Sequence, residues 1–175
     1  MAERAFLDTC VLYPPLKRGL LLGLADRGLF APLWSAGVAA EWAHLVARRD
    51  AEAAAALPGL LSRMAARWPE GEAPRGAPEL LELPDRGDAH VLAAALAGGA
   101  QLIVTDNLRD FPVRILAGHG LRVENPDGFV LRLWLVEPEP VAATLAELWP
   151  GLTGPDLRRA LKKAGLPRLG KALTA

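Results

Sequence analysis

The stretch "AFLDTCVLYPP", residues 5–15, starts as a β-strand and sets one bare acid, Asp8, in an apolar run. A lone buried carboxylate is expensive, so Asp8 either lies exposed at a strand end or is neutralised by a partner such as a metal ion. A second stretch has the same form: "QLIVTDN", residues 101–107, is short, apolar and β-branched, and ends in Asp106. Between the two the pattern is helical. Pro15 opens a helix carrying Leu16, Leu20 and Leu24 that Asp26-Arg27-Gly28 ends. Ser35 caps a second helix, running to about Arg49, with Val38, Trp42, Leu45 and Val46 as its apolar stripe and Glu41 on the border of that stripe.

"DAEAAAALPGLLSRMAARW" predicts a helix broken near Pro58-Gly59, and "PEGEAPRGAPELLELP" predicts an acidic loop. Asp85 caps "RGDAHVLAAALA", which Gly98-Gly99 closes. A short helix is expected near Phe111-Pro112, and "LRVEN" reads as one more strand. Strands separated by helices predict α/β layering with a mainly parallel sheet. Beyond Asn125 three helix-like segments follow with no strand among them, so residues 1–125 are expected to form the α/β domain and residues 126–175 a helical C-terminal extension.

The 175 residues are 51% hydrophobic and 23% charged, a globular composition that suffices for one well-cored domain. No apolar run reaches the length of a membrane span and no secretory signal opens the chain. The single cysteine, Cys10, excludes an internal disulfide and fits a reducing cytoplasm. Lys and Arg total 20 against 20 Asp and Glu, which argues against nucleic-acid binding by bulk charge while leaving a local site open.

In a parallel sheet the strand C-termini share one edge, and ligands bind outside it. Asp8 and Asp106 lie at such ends. Strand alternation groups Phe6, Asp8 and Cys10 on one face, and Val104 with Asp106 on a face of the other strand. Asp88 falls in the first turn of its helix with Asp85 three residues before it. First-turn acids suit the helix dipole and carry little weight alone. Several acids packed together repel one another and raise each other's pKa unless a hard cation such as Mg²⁺ or Mn²⁺ holds them ionised. With that cation the cluster can polarise a phosphate and activate a water for in-line attack on it, the chemistry of a metal-dependent phosphodiesterase.

The order "FLDTCVL", Glu41 on a helix, "DRGDAHVLAAA", then "LIVTDN" followed by "DFP", resembles the PIN-domain family, and particularly the VapC-like ribonuclease toxins of toxin–antitoxin systems, over roughly residues 4 to 125. The resemblance implies an α/β/α sandwich, an acidic pocket for Mg²⁺ or Mn²⁺, and endonucleolytic cleavage of RNA. By position it makes Asp8, Glu41, Asp88 and Asp106 the catalytic and metal-holding acids, with Asp85, Asn107 and Asp110 in support. It also implies a protein antitoxin that blocks the pocket, and a homodimer. Cys10 stands where Asn or Ser is common in the family, which would leave Asp8 without one hydrogen bond.

Each residue also has a plainer reading. Asp8 could cap a turn, Glu41 could be a surface acid near Arg48 and Arg49, and Asp85 reads first as an N-cap. His44 and His90 are expected to be exposed or hydrogen-bonded rather than ligands of a hard cation, Cys10 to be a small hydrophobe, and the tryptophans to belong to the core. The tail sets Arg158, Arg159, Lys162, Lys163, Arg168 and Lys171 against Asp156, opposite an apolar side of Leu157, Ala160, Leu161 and Ala164. It is a solvated face or a contact for RNA or a partner. For the whole chain the alternative is a catalytically silent PIN-like module. A dehalogenase-like phosphatase would want an acid where Cys10 stands, and a receiver domain a lysine in place of "TDN".

Overall fold

Short apolar runs without a polar face suit strands covered on both sides. In a computed structural model describing residues 2–174, the strands are β1 (Arg4–Leu7), β2 (Ala31–Ser35), β3 (Glu72–Ala73), β4 (Leu102–Val104) and β5 (Arg122–Glu124). They form one all-parallel sheet in the order β3-β2-β1-β4-β5. Helices flank it in an α/β/α sandwich: α1 (Thr9–Leu12), α2 (Pro15–Asp26), α3 (Ala36–Arg49), α4 (Ala51–Arg67), α5 (Ala89–Ala97) and α6 (Val113–Gly118). The chain winds outward from β1 through β2 to β3, then returns through α5 to place β4 on the other side of β1. The β1–β4 junction is therefore the switch point of the sheet, where an open crevice forms beyond the strand C-termini.

Two local expectations are corrected, and one strand was not foreseen. β2 is a strand although "APLWS" carries Pro32. Ala31 N–H bonds toward β1 and Trp34 N–H toward the β3 side, so the nitrogen of Pro32 faces the β3 side, one step before β3 begins pairing at Trp34. No ladder bond is lost there, which is why the proline is tolerated. α4 runs unbroken through Pro58. Pro58 is exposed, so the carbonyl it deprives of a partner lies toward water. The acidic loop contributes β3, only two residues long, at the sheet edge.

Four helices complete the chain: α7 (Pro126–Val136), α8 (Pro138–Leu148), α9 (Gly154–Lys163) and α10 (Pro167–Ala172). They share the core of the sandwich. Phe129 of α7 meets Phe30 edge-on at 5.0 Å between ring centres, and Leu161 and Leu169 are fully buried. α8 lies close on α2 because residues 19 and 23 are glycines: a Cβ at Gly23 would come within 2.8 Å of Thr144 Cγ2. Trp34, Trp42 and Trp149 are buried, as their apolar stripes predict. Among the described residues no helix is long and apolar enough to cross a membrane.

Asp127, buried in the first turn of α7, ties the C-terminus to the body by accepting both Arg168 N–H and Leu169 N–H at 2.9 Å. Replacing it by alanine strands two N–H groups at the start of α10. Asp127→Ala is expected to cost about 1–3 kcal/mol in urea unfolding, and an unchanged midpoint would remove Asp127 from the anchors of the fold.

Candidate active site

β1 ends at Leu7, so Asp8 leaves the sheet and turns into α1, whose first N–H, that of Thr9, it accepts at 2.7 Å. Its second oxygen accepts the Thr105 hydroxyl at 2.7 Å and the Cys10 thiol at 3.3 Å. The missing hydrogen bond expected from Cys10 is thus present. Cys10 lies in α1 and not on a strand face. Burial, and then the Asp8 charge, push its thiol up to about 12, so it stays a neutral donor. Asp8 is only 7% exposed, and these three donors satisfy both oxygens of its buried carboxylate.

Glu41, on α3, approaches from the other side. Its Oε2 accepts the Thr9 hydroxyl at 2.5 Å and its Oε1 lies 2.9 Å from His90 Nε2 on α5. The His90 bond, then that from Thr9, holds Glu41 below the usual carboxylate range, and the same His90–Glu41 bond raises His90. α3 can come this near α5 because residue 37 is glycine: a Cβ there would stand 2.8 Å from His90 Nδ1. That Nδ1 is buried without a hydrogen-bond partner.

Asp88 closes the 3₁₀ turn Arg86–Asp88 ahead of α5, and Asp85 caps that turn by accepting Gly87 N–H at 2.7 Å. Asp85, Asp88 and Asp110 bring carboxylate oxygens within 4.8 Å of one another, and Asp110 accepts the Asn107 side-chain amide. Among the described residues no donor reaches the Asp88 carboxylate. Burial first, then the charges of Asp8, Asp110, Asp85 and Glu41, push Asp88 up to about 6.

Asp106 behaves differently. β4 ends at Val104, so strand alternation does not extend to Asp106, and the side chain that points to Asp8 is Thr105. The Asp106 carboxylate instead pairs with the buried Lys17 ammonium of α2 at 2.6 Å and is not among the charges acting on Asp88. The acid that the β4 loop presents to Asp88 is Asp110. Asp8, Thr9, Cys10, Glu41, Asp88 and Asn107 line a single cleft of about 540 Å³, with His44 at its border.

Thr9, Thr105, His90 and Lys17 organise these acids, and sequence spacing did not single them out for it. The one signal was adjacency, since Thr9 follows Asp8 and Thr105 precedes Asp106. The donors facing the cleft are carboxylate and amide oxygens with no thiolate, a set that fits Mg²⁺ or Mn²⁺ rather than a softer ion. Asp85, Asp88 and Asp110 are the acids whose oxygens lie close enough to share one cation, and Asp8 and Glu41 face the same cleft from its other side.

A parallel α/β sandwich whose switch point carries a carboxylate cleft has its ligand-binding crevice beyond the strand C-termini. The family model described as PIN domain matches residues 4–109, and the chain belongs to that family, whose members are generally nucleases. No curated protein and no solved structure matches the chain.

The raised pKa of Asp88 has a definite consequence for the metal-free protein. Between its ordinary value of 3.8 and about 6 the folded form holds a proton that the unfolded chain has lost, so folding becomes less favourable as pH rises through that window. In EDTA, Asp88→Asn should be more stable than the wild type at pH 7, with the gap closing toward pH 4 in urea melts. A gap independent of pH would contradict the electrostatic account.

Proposed function

We propose that this PIN domain is an endoribonuclease that hydrolyses RNA phosphodiester bonds with Mg²⁺ or Mn²⁺, and that it is the cytoplasmic toxin of a toxin–antitoxin pair. The observation that carries the nuclease reading is the Asp88 carboxylate, set among four other acids and, among the described residues, without a hydrogen-bond donor. Such a group is stabilised by a cation and by little else. The choice of RNA, the antitoxin and a homodimer rest on the family resemblance.

In this reading a water oxygen forms a bond to phosphorus as the bond to the leaving ribose oxygen breaks, and the proton the water gives up ends on that oxygen. A cation held by these acids would supply positive charge for the phosphate and a lower pKa for the water. Asp8 is fixed by Thr105, Thr9 and Cys10, and Glu41 by Thr9 and His90, so both arrive with their oxygens already aimed. Asn107 and Asp110 brace the β4 side of the cleft. Asp106, neutralised by Lys17, contributes to the shape of the loop more than to its charge.

Asp8→Asn and Asp88→Asn should keep the fold and lower RNA cleavage in Mn²⁺ by more than about a hundredfold. Asp110→Asn should cost more than Asp106→Asn, the reverse of what strand alternation alone predicts. Full activity in both Asp8→Asn and Asp88→Asn would end the assignment.

A further inference from the structure

α9 and α10 pack as a hairpin with Leu161, Leu166 and Leu169 turned into the core. Its charged residues are left outside. Arg158, Lys162, Arg168 and Lys171 line one groove of about 340 Å³ together with Pro167, and all four are exposed. Among the described residues none of the four is ion-paired, because Asp156 is taken by Arg159 and Asp127 by the backbone of α10. In a chain of zero net charge this is a concentrated local field, suited to phosphate oxygens, which arginine meets as a fork and lysine as a point charge.

The turn that closes this hairpin also reaches toward the cleft. Gly165, in the turn joining α9 to α10, comes against Lys17: a Cβ there would lie 3.5 Å from its ammonium. The same ammonium holds Asp106, the neighbour of cleft-lining Asn107. We infer that the α9–α10 groove binds the RNA backbone next to the phosphate being cut. This inference rests on the endoribonuclease reading. A strand leaving the acidic cleft past Lys17 meets the four cations next, so the C-terminal helices supply the affinity that a carboxylate-lined cleft cannot.

The test is binding of a fluorescent single-stranded RNA of mixed sequence to the full chain carrying Asp8→Asn, measured by anisotropy in Mg²⁺ over rising KCl. Adding Arg158→Gln, Lys162→Gln, Arg168→Gln and Lys171→Gln should weaken binding by about tenfold or more and flatten the salt dependence by about 2 to 3, as four contacts at about 0.7 each require. Should that combination fail to fold, the α9 pair and the α10 pair made separately should each give about half the change in slope. Arg48→Gln with Arg63→Gln should leave the slope as it was. An unchanged slope in the groove variants, an equal loss in the control, or capture of polyglutamate in place of RNA overturns the inference. Wild-type cleavage alongside an unchanged slope removes the groove alone, whereas a wild type that neither cuts nor binds RNA removes the nuclease reading as well.

Discussion

The hydrogen bond from the Thr105 hydroxyl to Asp8, 2.7 Å long, joins the ends of the two central strands where the sheet reverses its winding. It works only because β1 and β4 pair in register, Leu7 beside Val104, so that the next residue of each strand leaves the sheet at the same level. Asp8 is thereby held nearly buried with both oxygens hydrogen-bonded, and it starts α1 as well. Shifting either strand by one residue would turn the carboxylate into the core.

The other acids are placed by separate devices. Glu41 depends on α3 lying close to α5, which a glycine at position 37 permits and His90 fixes. Asp88 depends on a 3₁₀ turn that Asp85 caps. Asp106 is neutralised from within by Lys17, which keeps one more negative charge from the cluster. The balance that results is uneven: Asp8 and Glu41 have donors, while among the described residues none reaches Asp88, whose charge is opposed by burial first and then by its acidic neighbours. A site arranged this way favours a proton on Asp88 at low pH, and under the proposed function it would hold a hard cation at neutral pH. The further inference adds a cationic groove beside this anionic cleft, and a polyanionic strand lying across both would be held by one and processed by the other.

Much of the layering was legible in the residues. β1 and β4 announced themselves as apolar runs ending in acids, and Ser35 and Asp85 were read correctly as caps. What was not legible depended on neighbours distant in sequence. β2 was not foreseen, and its pairing with β3 brings together residues some forty positions apart. Pro58 suggested a break that an exposed helix face did not need. Alternation groups Asp106 with Val104, but β4 ends at Val104 and the Asp106 carboxylate pairs with Lys17, a partner the spacing does not reveal. The roles of Lys17 and His90 arise from helix packing, which the spacing along one chain does not reveal.

The most direct test of the central claim, that these carboxylates hold a hard divalent cation, is a titration of the purified protein with Mn²⁺ followed by electron paramagnetic resonance at pH 7. The account predicts saturable binding that Asp88→Asn weakens by at least about tenfold, the order expected from losing a charged ligand, and that weakens in the wild type as pH falls below about 6. A folded protein that leaves Mn²⁺ free in solution at pH 7 would contradict it.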